Sequence, residues 1–308
     1  MGARHQCALR ESMREDEFMV TRHLDHLVAR GNTSDVYLWG EDAVVKVLRP
    51  EIPHEWAMRE ATTTRMVHTA GLPAPAVLDT TTIEDRPGII FERIPGVSMW
   101  EQMLANPREI PELATLLARL QAEVSATPAP IGMPALIDRL RENVAAAGVL
   151  SHAEREAALD ELANQKTGNT LCHFDVHPNN VLMGPDGPIV IDWFDAAAGD
   201  PGADVVRASV LMRHDAALGH LPCANPAIID QVHDRYLATV VQIRDLDPGE
   251  LPRWERTVLA SRLAEPTPEP VKRATYDTWV ALGNSKASRL TESLKSMDPG
   301  HPLRTDLS

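Results

Sequence analysis

Cysteine is scarce in this chain, and long apolar runs are missing altogether. The three cysteines, Cys7, Cys172 and Cys223, show no paired spacing. That speaks against a disulfide scaffold and sets a reduced, cytoplasmic location as the expectation. No apolar run approaches the roughly 20 residues that a membrane helix requires, so no membrane partner is expected. The opening stretch, MGARHQCALRESMREDEF, is charged throughout and lacks the apolar centre of a signal peptide. No repeat of solenoid length is present. A surplus of positive charge is lacking too, the formal net charge being −14. That excludes general affinity for nucleic acid, which needs cationic groups to displace counterions. The acidic balance is accounted for by solubility alone, and it also suits a cleft that attracts a cation.

What is present is enough apolar material for a substantial core, 44% of 308 residues, in one large domain or two modest ones. Residues 1–25 are charged and mixed and read as a helix or loose arm. Val36–Trp39 and Val44–Leu48 read as two strands around the turn residues Gly40, Glu41 and Asp42. From about Glu55 to Ala70 the pattern is helical, and Gly71 and Pro73 stop it. The stretches APAVLDT and GIIFERI supply further strands. Residues 26–94 therefore read as a small sheet carrying one helix. After a short joint at 95–98, helices dominate. Leu113, Leu116, Leu117, Leu120 and Val124 mark one helix face, and a second helical stretch is expected over about 134–165. Short strands and loops are expected over 170–193, and helices again from 203 to about 290. The polar tail after about 294 is expected to be disordered.

The chemistry concentrates in HFDVHPNNVLM (173–183) and PIVIDWFDA (188–196). Polar groups this dense between apolar runs are poor core filler, since a buried carboxylate without partners is costly. Phosphoryl transfer needs hard oxygen ligands for a divalent ion and a carboxylate to orient the attacking hydroxyl and take its proton. The spacing H-x-D-x-x-x-x-N, followed by an aspartate after an apolar strand, can supply a base, Asp175, and two metal ligands, Asn180 and Asp192.

These segments resemble the aminoglycoside phosphotransferase and choline kinase-like family of small-molecule kinases. The family's catalytic loop reads H-G-D-x-H-x-x-N, matched here by His173, Asp175, His177 and Asn180. Its metal segment, I-D-W-x-x-A followed by G-D-P, is matched by Ile191, Asp192, Trp193, Ala196 and Gly199-Asp200-Pro201. Phe174 departs from the usual glycine. The likeness covers roughly 28–210, and it implies an α+β, protein-kinase-like two-lobed fold. Residues 26–94 would form the nucleotide-binding lobe, 95–98 the hinge, and 99–308 a helical catalytic and substrate-binding lobe.

The resemblance also implies site residues beyond the loop. Lys46 would bind the nucleotide phosphates, with Glu60 as its helix partner and Glu55 a weaker candidate. Ser34, in the turn ARGNTSDVYLW, would lie at the phosphates, and Glu92, Arg93 and Ile94 at the adenine. Position supports Lys46 independently: between Val45 and Val47, it shares a strand face with Val44 and Leu48. Asp175 and His177 would be catalytic, although His177 could equally brace the loop. His173 would be structural, and Asp195 and Asp204 supporting or capping groups. Asp200 would start a helix with Pro201 at its first position, and Cys172 would be buried.

The cofactors implied are ATP and Mg²⁺, and the partner is a small-molecule hydroxyl acceptor bound by a monomer or homodimer. A cationic, aminoglycoside-type acceptor fits the acidic balance, with Glu265 and Asp215 as candidate contacts. Sugars, amino sugars and amino alcohols such as choline remain alternatives. A protein kinase fits less well, because no activation segment follows Asp192. Two further readings stand beside these. One is a metal-dependent hydrolase with zinc on His173, Asp175 and His177, if 173–177 were a strand. The other is a nucleotide-binding pseudokinase.

Overall fold

A computed structural model describes residues 24, 26–31, 33–217, 225–284 and 289–296, with the side chains of 214–217, 289 and 296 not described. The expectations for the N-terminal arm and for the tail beyond 296 lie outside these residues. The chain divides into two compact units. One comprises residues 1–58 and 77–93, the other residues 59–76 and 94–308.

The first unit is an antiparallel sheet of five strands: β1 (Leu27–Arg30), β2 (Ser34–Leu38), β3 (Ala43–Leu48), β4 (Val77–Ile83) and β5 (Arg86–Glu92), in the order β1-β2-β3-β5-β4. Gly40, at φ 82°, turns β2 into β3, and Glu84 and Asp85, at φ 49° and 62°, turn β4 into β5. Two successive left-handed residues match the twist of a tight hairpin. Alternation along β3 sends Val45 and Val47 into a core with Ala43, Ile83 and Ile90, over which Leu24, Tyr37 and Trp39 pack. Lys46 therefore lies on the opposite, half-buried face, in register with Val36 and Ile89. Helix α1 (His54–Thr69) follows Pro53, and the division between the units falls within it.

The second unit is mainly helical. Its helices are α2 (Met99–Ala105), α3 (Ile110–Ala126), α4 (Leu136–Ala146), α5 (His152–Ala163), α6 (Pro201–Ala217), α7 (Pro226–Arg244), α8 (Pro252–Arg262), α9 (Glu269–Asn284) and α10 (Arg289–Ser296). Leu113, Leu117, Leu120 and Val124, on the α3 face read from the sequence, are all buried, the last three beside Val176, Val181 and Val190. Another face of α3 packs on α7, where Arg235 donates to Thr115. The tyrosine hydroxyl of Tyr236 donates to Gln121 within that contact.

The single helical stretch expected over 134–165 is instead two helices. The chain leaves α4 at Ala147 and restarts at Ser151, whose hydroxyl accepts from the Glu154 N–H while the Glu154 carboxylate accepts from the Ser151 N–H. The joint at 95–98 also contains structure. Val97–Ser98 forms strand β6, which pairs with β8 (Val181–Gly184), itself paired with β9 (Gly187–Val190). A Cβ at Gly96 would overlap the Met183 carbonyl, so only glycine permits this approach. Ser98 then caps α2 in a second reciprocal box with Glu101. Strands β7 (Thr170–Cys172) and β10 (Ala197–Gly199) pair beneath the loop that carries the polar cluster.

Candidate active site

The loop from Cys172 to Asn180 begins where β7 ends. Phe174 has φ 64°, a left-handed conformation that a bulky side chain adopts only when its surroundings hold it there. They do so here. The carboxylate of Asp204, near the start of α6, accepts from the Phe174 N–H at 2.7 Å and from the His173 N–H at 3.4 Å. The Phe174 ring is buried. At the head of the same helix, Asp200 Oδ1 accepts from the Gly202 N–H at 2.7 Å, with Pro201 in the first helical position as expected.

His173 is fully buried, and both of its ring nitrogens are used. Nδ1 accepts from the Asp175 N–H at 3.1 Å, so the proton sits on Nε2, which donates to the Ile191 carbonyl at 3.0 Å. Burial holds its pKa below the ordinary histidine value, against the pull of Asp204. Its ring lies 4.4 Å from that of Trp193. This histidine braces two segments, as the resemblance implied. The zinc reading is corrected by the same geometry: 173–177 is not a strand, and His173 has no nitrogen left for a metal.

Three candidate residues converge in this unit. Asn180 Nδ2 donates to Asp175 Oδ2 at 2.9 Å and to the Asp175 carbonyl at 3.0 Å. The Ile191 N–H donates to the Asn180 carbonyl at 2.9 Å, continuing the hairpin in which Val181 faces Val190. Asp192 follows directly, in the left-handed conformation at φ 65°. His177 Nε2 stands 3.9 Å from Asp175 Oδ2, which is too long for a hydrogen bond.

Burial first, then the nearby Asp195 and Asp192 carboxylates, push the Asp175 carboxyl up to about 8, with Arg207 opposing. Asp195 is itself bound by Arg139, which also donates to the Phe194 carbonyl at 3.2 Å. Arg139 and Arg59 lie against the Phe194 ring at 5.1 and 5.4 Å. Thr63 fixes the same segment by donating to the Trp193 carbonyl at 2.8 Å.

Asn180 and Asp192 offer hard oxygen atoms, the donor type that Mg²⁺ takes while keeping its remaining positions for water and phosphate oxygens. Among the described residues, no group of three or more His, Cys, Asp or Glu side chains is placed to hold a metal ion. Two hard donors suit a metal whose other positions are taken by water and phosphate oxygens.

The remaining candidates distribute as follows. Glu60 is buried on α1, and Glu55 is exposed. Lys46, Ser34, Glu92 and Arg93 belong to the first unit, where Ser34 is buried and adjoins the Gly31 turn. The Arg93 N–H donates to the Asp42 carbonyl at 2.9 Å, so that amide is already occupied. Ile94 is half-buried and begins the next segment of the second unit. Glu265 is not an open carboxylate: it binds Arg207 at 2.7 Å. The side chain of Asp215 lies outside the described residues. Sequence reading missed Arg207, Arg139 and Thr63. For Arg207 the available signal was its position three residues after Asp204, one turn along the same helix.

A model of the phosphotransferase enzyme family matches residues 26–246. The chain belongs to that family. As a phosphotransferase, it is an enzyme of the kinase type that moves phosphate to a hydroxyl group. An aminoglycoside 3'-phosphotransferase from Streptomyces fradiae is 28% identical over 196 residues, 58% of this chain and 71% of that protein. Among solved structures, a choline/ethanolamine kinase family protein from Mesorhizobium loti superposes with a TM-score of 0.56. The two are 16% identical, and the match covers 91% of this chain and 94% of that one. An aminoglycoside phosphotransferase solved as a ternary complex with streptomycin and ATP gives 0.52 at 18% identity, over 77% of this chain and 83% of that one. At these identities the structures share the α+β fold. No helix among the described residues is long and apolar enough to cross a membrane.

Proposed function

We propose that this phosphotransferase moves the γ-phosphate of ATP to a hydroxyl of a small cytoplasmic molecule, with Asp175 as the group that orients the hydroxyl and accepts its proton. The observation that carries this reading is the double hydrogen bond from Asn180 to Asp175. It ties the base to the residue whose neighbour across the hairpin leads into Asp192. Asn180 and Asp192 would hold Mg²⁺, which when bound neutralises charge on the phosphates. Lys46 and Ser34 are assigned to the phosphates and Glu60 to support of the lysine. Glu92, Arg93 and Ile94 are assigned to the adenine, Arg93 by a group other than its amide, which the Asp42 carbonyl holds. His177 is assigned to the loop beside the base. The raised Asp175 carboxyl supports a proton-accepting role near neutral pH, since a base works best with a pKa close to the operating value. Rate enhancement comes from positioning and charge neutralisation.

For the acceptor, we favour a hydroxylated cation of the aminoglycoside type. The net charge of −14 and the likeness to the Streptomyces fradiae enzyme support it. Activity of that kind on an antibiotic would confer resistance. Coupled ADP release, screened over aminoglycosides, amino sugars, neutral sugars and choline, tests both parts. Turnover with cationic acceptors that disappears in Asp175→Ala, with ATP still bound, is expected. Full turnover in that variant would remove the base assignment, and turnover with neutral sugars alone would remove the acceptor assignment.

A further inference from the structure

Phe174 presents a problem of local energetics. A phenylalanine at φ 64° is strained by about 1–3 kcal/mol relative to glycine, the residue usual here in the family. It sits directly before the proposed base, so its backbone sets the direction in which the Asp175 side chain leaves the chain. Asp204 holds its N–H. The other side of the residue is held by Arg207, one turn further along α6. Arg207 Nε donates to the Phe174 carbonyl at 3.2 Å, and its guanidinium lies over the Phe174 ring at 5.4 Å. Arg207 is itself buried, and its far end binds Glu265, just beyond α8, at 2.7 Å. Burial alone would lower the pKa of this guanidinium, but Glu265, Asp175 and Asp195 more than reverse that, so it stays charged.

We propose that Arg207 is a positioning residue for phosphoryl transfer: with Glu265 anchoring it, it clamps the left-handed Phe174 by carbonyl and ring and so aims Asp175. The proposal rests on Asp175 being the base. Only a planar guanidinium can donate through Nε, stack on the ring and pair with a carboxylate at once. Lysine can replace the charge but not the fork. Arginine at 207 is therefore tied to phenylalanine at 174. Were residue 174 glycine, the left-handed backbone would need no such clamp.

The test uses the full chain with Mg·ATP and water as acceptor, reading ADP release, alongside hydrogen–deuterium exchange of the 173–177 segment without nucleotide. Arg207→Lys is expected to lower kcat by about 10- to 100-fold, the scale of a roughly 1 Å misplacement of a catalytic group. Its KM for Mg·ATP is expected to stay within about twofold, and exchange over 173–177 to accelerate. Adding Phe174→Gly to Arg207→Lys is expected to recover at least half of the lost kcat on a logarithmic scale. A general packing defect would move the melting temperature but would not be rescued by removing a second buried side chain. Unchanged exchange over 173–177 in Arg207→Lys, or losses that simply multiply in the double variant, would overturn the proposal. Failure of the underlying reading would look different: Asp175→Ala would release ADP at the parent rate, whatever Arg207 did.

Discussion

Asp175→Asn should make the ligand-free protein more stable while destroying its activity. In the folded chain the Asp175 carboxyl is pushed from an ordinary 3.8 up to about 8, by burial and then by Asp195 and Asp192. A carboxyl whose folded pKa lies above its unfolded value opposes folding once the unfolded chain has ionised. Its penalty grows as pH rises from about 4 to about 8 and is constant above that. At about 1.4 kcal/mol per pH unit the full shift would amount to between 5 and 6 kcal/mol. The Asp175 side chain is 22% exposed, and water and local relaxation reduce such penalties, leaving about 1–3 kcal/mol.

The amide keeps an oxygen to accept from Asn180 and carries no charge. The difference between variant and parent should therefore be small near pH 4, grow as pH rises, and have its full value above pH 8. For a chain of this size that corresponds to about 1.5–5 °C in melting temperature. Thermal melts of both proteins from pH 4 to pH 9, in chelator and without nucleotide, provide the assay. A variant that melts below the parent at pH 9, or by the same margin at pH 4 and pH 9, would refute the electrostatic account of this site.

Two further outcomes follow from the same contacts. Asp204→Ala leaves the N–H groups of His173 and Phe174 without their carboxylate and should cost about 2–4 kcal/mol in denaturant unfolding. It should also loosen the loop, so that ATP turnover falls more than ATP binding. Ser151→Ala removes one half of the box that starts α5 and should cost about 1 kcal/mol, with no effect on turnover. Urea titrations and ADP release measured on the same preparations check both.

The parts of this protein legible in its sequence are those where chemistry or periodicity is local. The base and metal candidates stand at fixed spacing in two short segments, and β3 and α3 announce their buried faces by alternation and by helical repeat. The break between α4 and α5 was also written locally, as S-x-x-E at Ser151–Glu154 after Gly148, but the surrounding helical composition masked it. What was not legible depends on partners far along the chain. Strand β6 exists only because Val97 and Ser98 meet Met183 and Leu182. Glu265 looked like an open carboxylate until its pairing with Arg207, across 58 positions of sequence, gave it a structural partner. The left-handed Phe174 could be noticed as a departure from glycine, but its support by two residues of α6 required the fold.

Titration of Mn²⁺ as a magnesium substitute, followed by electron paramagnetic resonance in the presence of ATP, tests the central claim most directly. The parent should bind Mn²⁺ tightly only with nucleotide present, and Asp192→Ala and Asn180→Ala should each weaken that binding by about tenfold or more. Mn²⁺ binding that is unchanged in both variants would contradict a metal-assisted phosphoryl-transfer centre built on Asp175, Asn180 and Asp192.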